Sequence, residues 1–261
     1  MIEHEFKKKF GQNFISDKNL LEAIVSDAQV EENDDVLEIG AGAGTLTTAI
    51  SQKARKVVSY EIDNDLKNHL EGLNLKNTTF VFKDIMKEDL KDIESAFEGE
   101  YKMIANLPYY ITTPIIFKFL NGSKKIKSLT IMVQKEVAER IVAPKGGKDY
   151  GVLSVMIAFF GQAKITRIVK RNMFYPVPNV DSAIVSIEID RNKFSGVDSA
   201  KFYGLVGGCF AMRRKTLRNN LSKFLSADKA KLSLVPENLL SLRPETLSIE
   251  DFATLYHLIY Q

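Results

Sequence analysis

Asp35-Val36-Leu37-Glu38-Ile39-Gly40-Ala41-Gly42-Ala43-Gly44-Thr45 passes within a few residues from an apolar run to alternating glycines. The run predicts a strand over Asp35–Ile39, and the residues after Gly44 predict a helix over Leu46–Lys53. Glycines between a strand and a helix let the backbone turn tightly at the carboxyl edge of a sheet. They also leave bare amides at a helix amino terminus, where a ligand can approach. The spacing Gly-x-Gly-x-Gly, with Glu38 before it, differs from the dinucleotide fingerprint, because Leu46 follows Thr45 and no third glycine fills the dehydrogenase slot. Glycines needed only for a turn are the plainer reading of the same letters.

Outward from this stretch, short β-branched runs alternate with amphipathic ones, the pattern of a mainly parallel sheet covered by helices. The strands expected are Lys56–Tyr60, Thr79–Phe82, Tyr101–Ala105 and Ser128–Val133. Helices are expected over Asn64–Leu73, Pro114–Leu120, Gln134–Val142 and the almost wholly apolar Val152–Phe160. Two last strands, Lys164–Arg171 and Ala183–Ile189, are joined by a segment too short for a crossover helix, so they should pair antiparallel. An α/β sheet that ends in an antiparallel hairpin is what Rossmann-like methyltransferases have. Beyond Asn192 the pattern turns helical, over Ala200–Met212, Lys215–Phe224 and Ile249–Tyr260. This predicts two domains, 1–192 and a small helical domain at 193–261.

Composition narrows the chemistry. The chain of 261 residues is 45% hydrophobic and 26% charged, an ordinary globular balance. No apolar run approaches the roughly 18 residues of a membrane helix, and Met1 to Phe10 is charged where a signal peptide is apolar, so a cytoplasmic protein without membrane contact is expected. A single cysteine, Cys209, and three scattered histidines give no metal-ligand spacing, and no metal site is expected. The net charge of +3 announces no nucleic-acid binder alone, but basic residues cluster at Lys7–Lys9, Lys124–Lys127, Lys164–Arg171 and Arg213–Arg218.

The ends of the strands carry the candidate site. Glu61, roughly 20 residues beyond the first glycine, closes the second strand and can accept hydrogen bonds from both hydroxyls of a ribose. Asp84 closes the third; it can accept from an adenine amine while Ile85 packs the ring. As isolated acids, either could be a helix cap, yet their places at successive strand ends favour an adenosine-bearing cofactor. The fourth strand ends in Asn106-Leu107-Pro108-Tyr109. An adenine amine is a weak nucleophile because its lone pair is delocalised into the ring. The Asn106 oxygen and the Leu107 carbonyl, held by Pro108, can each accept one amine hydrogen and so turn that pair toward a sulfonium methyl. Tyr109 would stack on the base once it has left its RNA stack. Phe174, in the proline-stiffened loop Asn172–Pro178, is either the second wall or core filler.

Together these residues resemble the KsgA family of ribosomal RNA adenine dimethyltransferases, which is related to the Erm resistance methylases. The likeness runs nearly end to end, through Phe10-Gly11-Gln12-Asn13-Phe14, Glu38 to Gly44, Asp84-Ile85, Asn106 to Tyr109, Pro176-Val177-Pro178-Asn179-Val180-Asp181-Ser182 and Arg213-Arg214-Lys215-Thr216-Leu217. It departs from the common pattern at Ile15, where leucine is usual, and at Asn179, where lysine is usual. The resemblance implies S-adenosylmethionine as cofactor, with Asn13 and Ile15 at its methionine end and Gly40, Gly42, Glu61, Ile62, Asp84, Ile85 and Asn106 completing its site. It implies a monomer that dimethylates two adjacent adenosines near the 3′ end of small-subunit ribosomal RNA in an assembly intermediate. Arg213, Arg214, Lys215 and Arg218 then look like phosphate contacts. An Erm-type methylase of the large subunit and a non-catalytic RNA-binding assembly factor of the same fold are the alternatives.

Overall fold

Five consecutive residues can all be buried in a strand only where both of its faces are covered. Asp35–Ile39 is such a strand, buried throughout, and it lies at the centre of the sheet with a parallel partner on each side. The structure, a computed structural model, describes residues 14, 15 and 17–261. Its elements in chain order begin with β1 (Phe14–Ile15), α1 (Lys18–Asp27), β2 (Asp35–Ile39), α2 (Thr45–Ser51), β3 (Lys56–Glu61) and α3 (Lys67–Glu71). Then come β4 (Thr78–Phe82), α4 (Leu90–Ser95), β5 (Tyr101–Asn106), α5 (Tyr109–Gly122), β6 (Ile126–Gln134), α6 (Lys135–Ile141) and α7 (Val152–Phe160). The chain ends with β7 (Gly161–Val169), β8 (Phe174–Tyr175), β9 (Ser182–Ile189), α8 (Ser199–Cys209), α9 (Leu217–Phe224), α10 (Glu237–Leu240) and α11 (Ile249–Tyr260).

Seven strands form one sheet in the order β4-β3-β2-β5-β6-β9-β7. The first five run parallel, and β9 lies antiparallel against β6, from Ser128 opposite Glu188 to Gln134 opposite Ser182. Across the last pair Lys164 meets Glu188 at 3.9 Å and the Thr166 hydroxyl donates to the Ile184 carbonyl at 3.3 Å, so β7 and β9 are antiparallel to each other. The fold is the Rossmann-like methyltransferase sheet with its terminal hairpin, as expected. The later strand of the hairpin inserts between the earlier one and β6.

Two expectations are corrected. The helix after Asn106 starts at Tyr109 rather than Pro114, which sits inside it. Pro108 occupies the capping position and its fixed φ of −54° starts the turn, so Pro114 loses one internal bond without ending a helix that has already begun. The boundary at Asn192 also differs. The described residues fall into two compact units, one made of those up to Ala138 with Lys164–Ile189, the other of Glu139–Ala163 with Asp190–Gln261. Helix α7 belongs to the second unit because it is apolar on nearly every side and needs a core around it. Phe159 stacks on Phe202 of α8 at 4.5 Å and on Phe194 at 5.5 Å.

In the second unit the segment Met212–Thr216 carries no helix of its own. It is held by Asn220, which is 1% exposed. Its side-chain oxygen accepts from the Met212 amide at 2.7 Å, and its amide nitrogen donates to the carbonyls of Met212 and Thr216 at 3.2 Å each. Without this side chain the Met212 amide loses its partner, and the Met212 and Thr216 carbonyls keep only the backbone amides of Lys215 and Asn220. Asn220→Ala is expected to destabilise the protein by about 2–3 kcal/mol, read as a fall in the urea midpoint at unchanged slope.

Candidate active site

The carboxyl ends of β2, β3, β4 and β5 converge on one cavity of about 370 Å³. Its geometry starts from the glycine loop. Gly40 has φ +88° and Gly44 φ +75°, backbone that side-chain-bearing residues rarely adopt. At Gly40 a Cβ would stand 2.8 Å from the Asn106 carbonyl oxygen, so only glycine lets β2 turn this close to the end of β5. The loop is fastened at two points. The Gly40 amide donates to the Tyr60 carbonyl at 2.8 Å, and the Gly42 amide donates to Glu61 Oε2 at 2.8 Å.

Glu61 therefore holds the loop as well as facing the cavity. Its other oxygen accepts from the Asp63 amide at 2.9 Å. Burial raises its pKa, partly offset by these amide donors. Asp84 is half-buried; its Oδ1 accepts from the Met86 amide at 3.0 Å, which turns the carboxylate at the end of β4. Ile85 is buried and Ile62 is 43% exposed, and both line the cavity beside these acids.

The opposite wall is the segment between β5 and α5. Asn106, Leu107, Pro108 and Tyr109 all line the cavity, and the Asn106 side chain makes no hydrogen bond among the described residues. The Tyr109 hydroxyl is within 2.9 Å of the Ser182 hydroxyl, which ties the ring to the start of β9. Tyr110, also lining the cavity, is 67% exposed. Overhead, β1 and β8 form a two-stranded ladder with Ile15 opposite Phe174. Both side chains are buried and line the cavity. The Thr45 hydroxyl donates to the Ile15 carbonyl at 3.1 Å, pinning this ladder to the amino terminus of α2.

Every candidate site residue named from the sequence lines this cavity, except Asn13, which lies outside the described residues. Phe174 belongs to the core around Ile15 and Val169 and also lines the cavity. No pattern in the letters signals Tyr110, Thr45 or the β1·β8 ladder. Strands of two residues carry no periodicity.

The basic clusters separate in the structure. Arg167 forms a two-point pair with Asp27, and Lys170 pairs with Asp181. Arg218 pairs with Glu237, so this member of the fourth cluster is engaged rather than free for phosphate. Arg213, Arg214 and Lys215 are exposed and carry no ion pair among the described residues. Lys7–Lys9 lie outside the described residues.

A family model described as "Ribosomal RNA adenine dimethylase" matches residues 3–261. The chain belongs to the ribosomal RNA adenine dimethylase family. Among its relatives, the ribosomal RNA small subunit methyltransferase A of Clostridioides difficile is 40% identical over 263 residues, covering 98% of this chain and 91% of that protein. The crystal structure of a dimethyladenosine transferase from Plasmodium falciparum superposes with a TM-score of 0.83 at 26% identity, over 93% of this chain and 95% of that one. That of the 23S rRNA methyltransferase ErmE superposes with a TM-score of 0.70 at 25% identity, over 95% and 100%. Members of this dimethylase family are methyltransferases, and no described helix is long and apolar enough to cross a membrane.

Beneath the loop of this dimethylase lies Glu38, fully buried on β2. Its Oε2 accepts from the hydroxyls of Thr47 at 2.6 Å and Ser59 at 2.5 Å, while Oε1 has no partner. Burial pushes its pKa up to about 7, against the two hydroxyl donors, with the nearby Glu61 charge adding to the rise. A carboxyl whose pKa is higher folded than unfolded favours folding fully below its unfolded value, and loses that contribution as pH rises through 7. Glu38→Gln is therefore expected to gain thermal stability over the wild type from pH 5 to pH 8.5. A melting difference that stays constant over that range would contradict the buried carboxyl's titration.

Proposed function

We propose that the cavity binds S-adenosylmethionine and that the enzyme uses it to dimethylate the exocyclic amines of two adjacent adenosines near the 3′ end of small-subunit ribosomal RNA. It would act as a cytoplasmic monomer on an assembly intermediate. The observation that carries this reading is the union in one cavity of a ribose-type acceptor, an adenine-type acceptor and the Asn106–Tyr109 segment. The residues fit the cofactor: Glu61 retains lone pairs for the ribose hydroxyls, Asp84 can accept from the adenine amine, and Ile62 and Ile85 offer apolar faces to its ring. Gly40, Gly42 and Ile15 would border its methionine end, with Asn13 beside them.

Bound S-adenosylmethionine supplies an electrophilic methyl on a sulfonium. The chain's own contribution is to hold the amine. Asn106 Oδ1 and the Leu107 carbonyl accept its two hydrogens, and each acceptor draws the nitrogen away from planarity. Tyr109 and Phe174 hold the flipped base between two rings. Tyr109 is fixed by its hydroxyl contact with Ser182, and Phe174 by the ladder to Ile15. After one methylation the amine retains a single hydrogen, and one of the two acceptors suffices to aim it again. The proton goes to water, since the alkylated amine is strongly acidic and neither asparagine nor a carbonyl can take it.

Arg213, Arg214 and Lys215, presented by the segment that Asn220 holds, would meet phosphates and supply affinity rather than sequence choice. The names of the curated relatives favour the small subunit over the large.

Glu61→Ala is expected to weaken donor binding about tenfold or more, since a charged acceptor is lost. Asn106→Ala should lower kcat about a hundredfold with donor affinity nearly intact. Equal loss of donor affinity in both variants, measured by calorimetry, would contradict this division of roles. For the RNA surface, Arg213→Glu with Arg214→Glu should weaken binding to undermodified small subunits and lower the slope of log affinity against log salt by roughly two. An unchanged salt slope would rule these arginines out as phosphate contacts. Transfer of labelled methyl groups to isolated small but not large subunits tests the substrate itself.

A further inference from the structure

Lys118 lies on α5 beyond the Asn106–Tyr109 segment and does not line the cavity. Its ammonium instead reaches the segment after β4, where it donates to the carbonyls of Ile85 at 2.8 Å, Met86 at 3.1 Å and Glu88 at 2.6 Å. An ammonium has three N–H bonds, and all three are used. Three carbonyls from so short a stretch of chain converge on one nitrogen, so the segment is wrapped around the charge. Without a cation at the centre, the carbonyl dipoles would face one another and repel. The side chain is half-buried, and this desolvation lowers its pKa, while Asp84, Asp89 and Glu88 act the other way.

The wrapped segment is the one that forms the cavity's adenine side. Ile85 and Met86 line the cavity and hand their carbonyls to Lys118. Asp84 precedes them, and its carboxylate is oriented by the Met86 amide. The Lys87 amide closes the same turn onto the Asp84 carbonyl at 2.9 Å. A change in the path of residues 85–88 therefore moves both the acceptor and the apolar face beside it.

We propose that Lys118 is a positioning residue for base selection: by gathering the carbonyls of Ile85, Met86 and Glu88, it sets the Asp84 carboxylate and Ile85 where they select a cofactor base bearing an exocyclic amine. This rests on the reading of the cavity as the S-adenosylmethionine site. Lys118 touches neither cofactor nor substrate, so its removal acts on base discrimination more than on the chemical step.

The probes are S-adenosylhomocysteine and S-inosylhomocysteine, which carries a ring carbonyl in place of the adenine amine. Both are titrated into the full-length wild type, Lys118→Met, Lys118→Arg and Glu61→Ala. The wild type is expected to prefer the adenosyl probe, because a carboxylate accepts from an amine and repels a carbonyl. In Lys118→Met adenosyl affinity should fall about tenfold and inosyl affinity much less, so that the preference shrinks. At saturating donor, kcat should stay within about twofold of wild type while KM for the donor rises. Lys118→Arg keeps the charge and the fold, but a planar guanidinium cannot converge on three acceptors around one point, so its preference shrinks as well. Glu61→Ala should lower both affinities and leave the preference intact. If both Lys118 variants keep the wild-type preference, the positioning role is overturned, whatever happens to their melting temperatures. If the wild type binds neither probe, the reading of the cavity itself is wrong and the role of Lys118 falls with it.

Discussion

The approach of the glycine loop to the end of β5 is the constraint on which the site depends. Where β2 ends, the chain turns so closely past the Asn106 carbonyl that a single added carbon at Gly40 would stand 2.8 Å from that oxygen. This contact brings the side of the cavity that carries Glu61 and Asp84 close to the side formed by Asn106–Tyr109. The positions then depend on sheet register rather than on flexible side chains. Ile39 pairs with Tyr60 on one side and Ala105 on the other, so the residues that follow each strand emerge side by side.

The hydrogen bond from the Gly42 amide to Glu61 gives the acid two tasks. An unliganded carboxylate buried at a strand end is costly unless amides satisfy it, and here the loop and the Asp63 amide do so. Glu38, one register position removed from the cavity, has only hydroxyl partners and one bare oxygen, and burial keeps its proton near neutrality. The two acids differ in donors more than in depth: amides favour the charged form of one, while the other is left to desolvation.

Much of this was legible in the letters. α7 was readable because a continuous apolar run of that length admits few alternatives, and β2 because its apolar residues lead straight into glycines. Acids and amides at strand ends were readable as a site because parallel βα units bring those ends to one edge. Other features depended on partners distant in sequence. β1 and β8 exist through each other. The place of α7 in the second unit follows from Phe159 meeting Phe202, which no local pattern announces. Arg218 read as part of a basic run until Glu237 appeared opposite it. Lys118 sat unremarked in an apolar helix, since its meaning lies in carbonyls some thirty positions earlier, and carbonyls have no letter.

The two-residue ladder between Ile15 and Phe174 also bears on how a base is received. A ring free to turn would have to surrender rotamer freedom when the purine arrived. Phe174 has already surrendered it during folding, clamped by its backbone to Ile15 and packed beside Val169. On the proposed reading, the entropic penalty of forming an aromatic wall is thus met before any base arrives, and a purine swung out of its helix would find a rigid crevice.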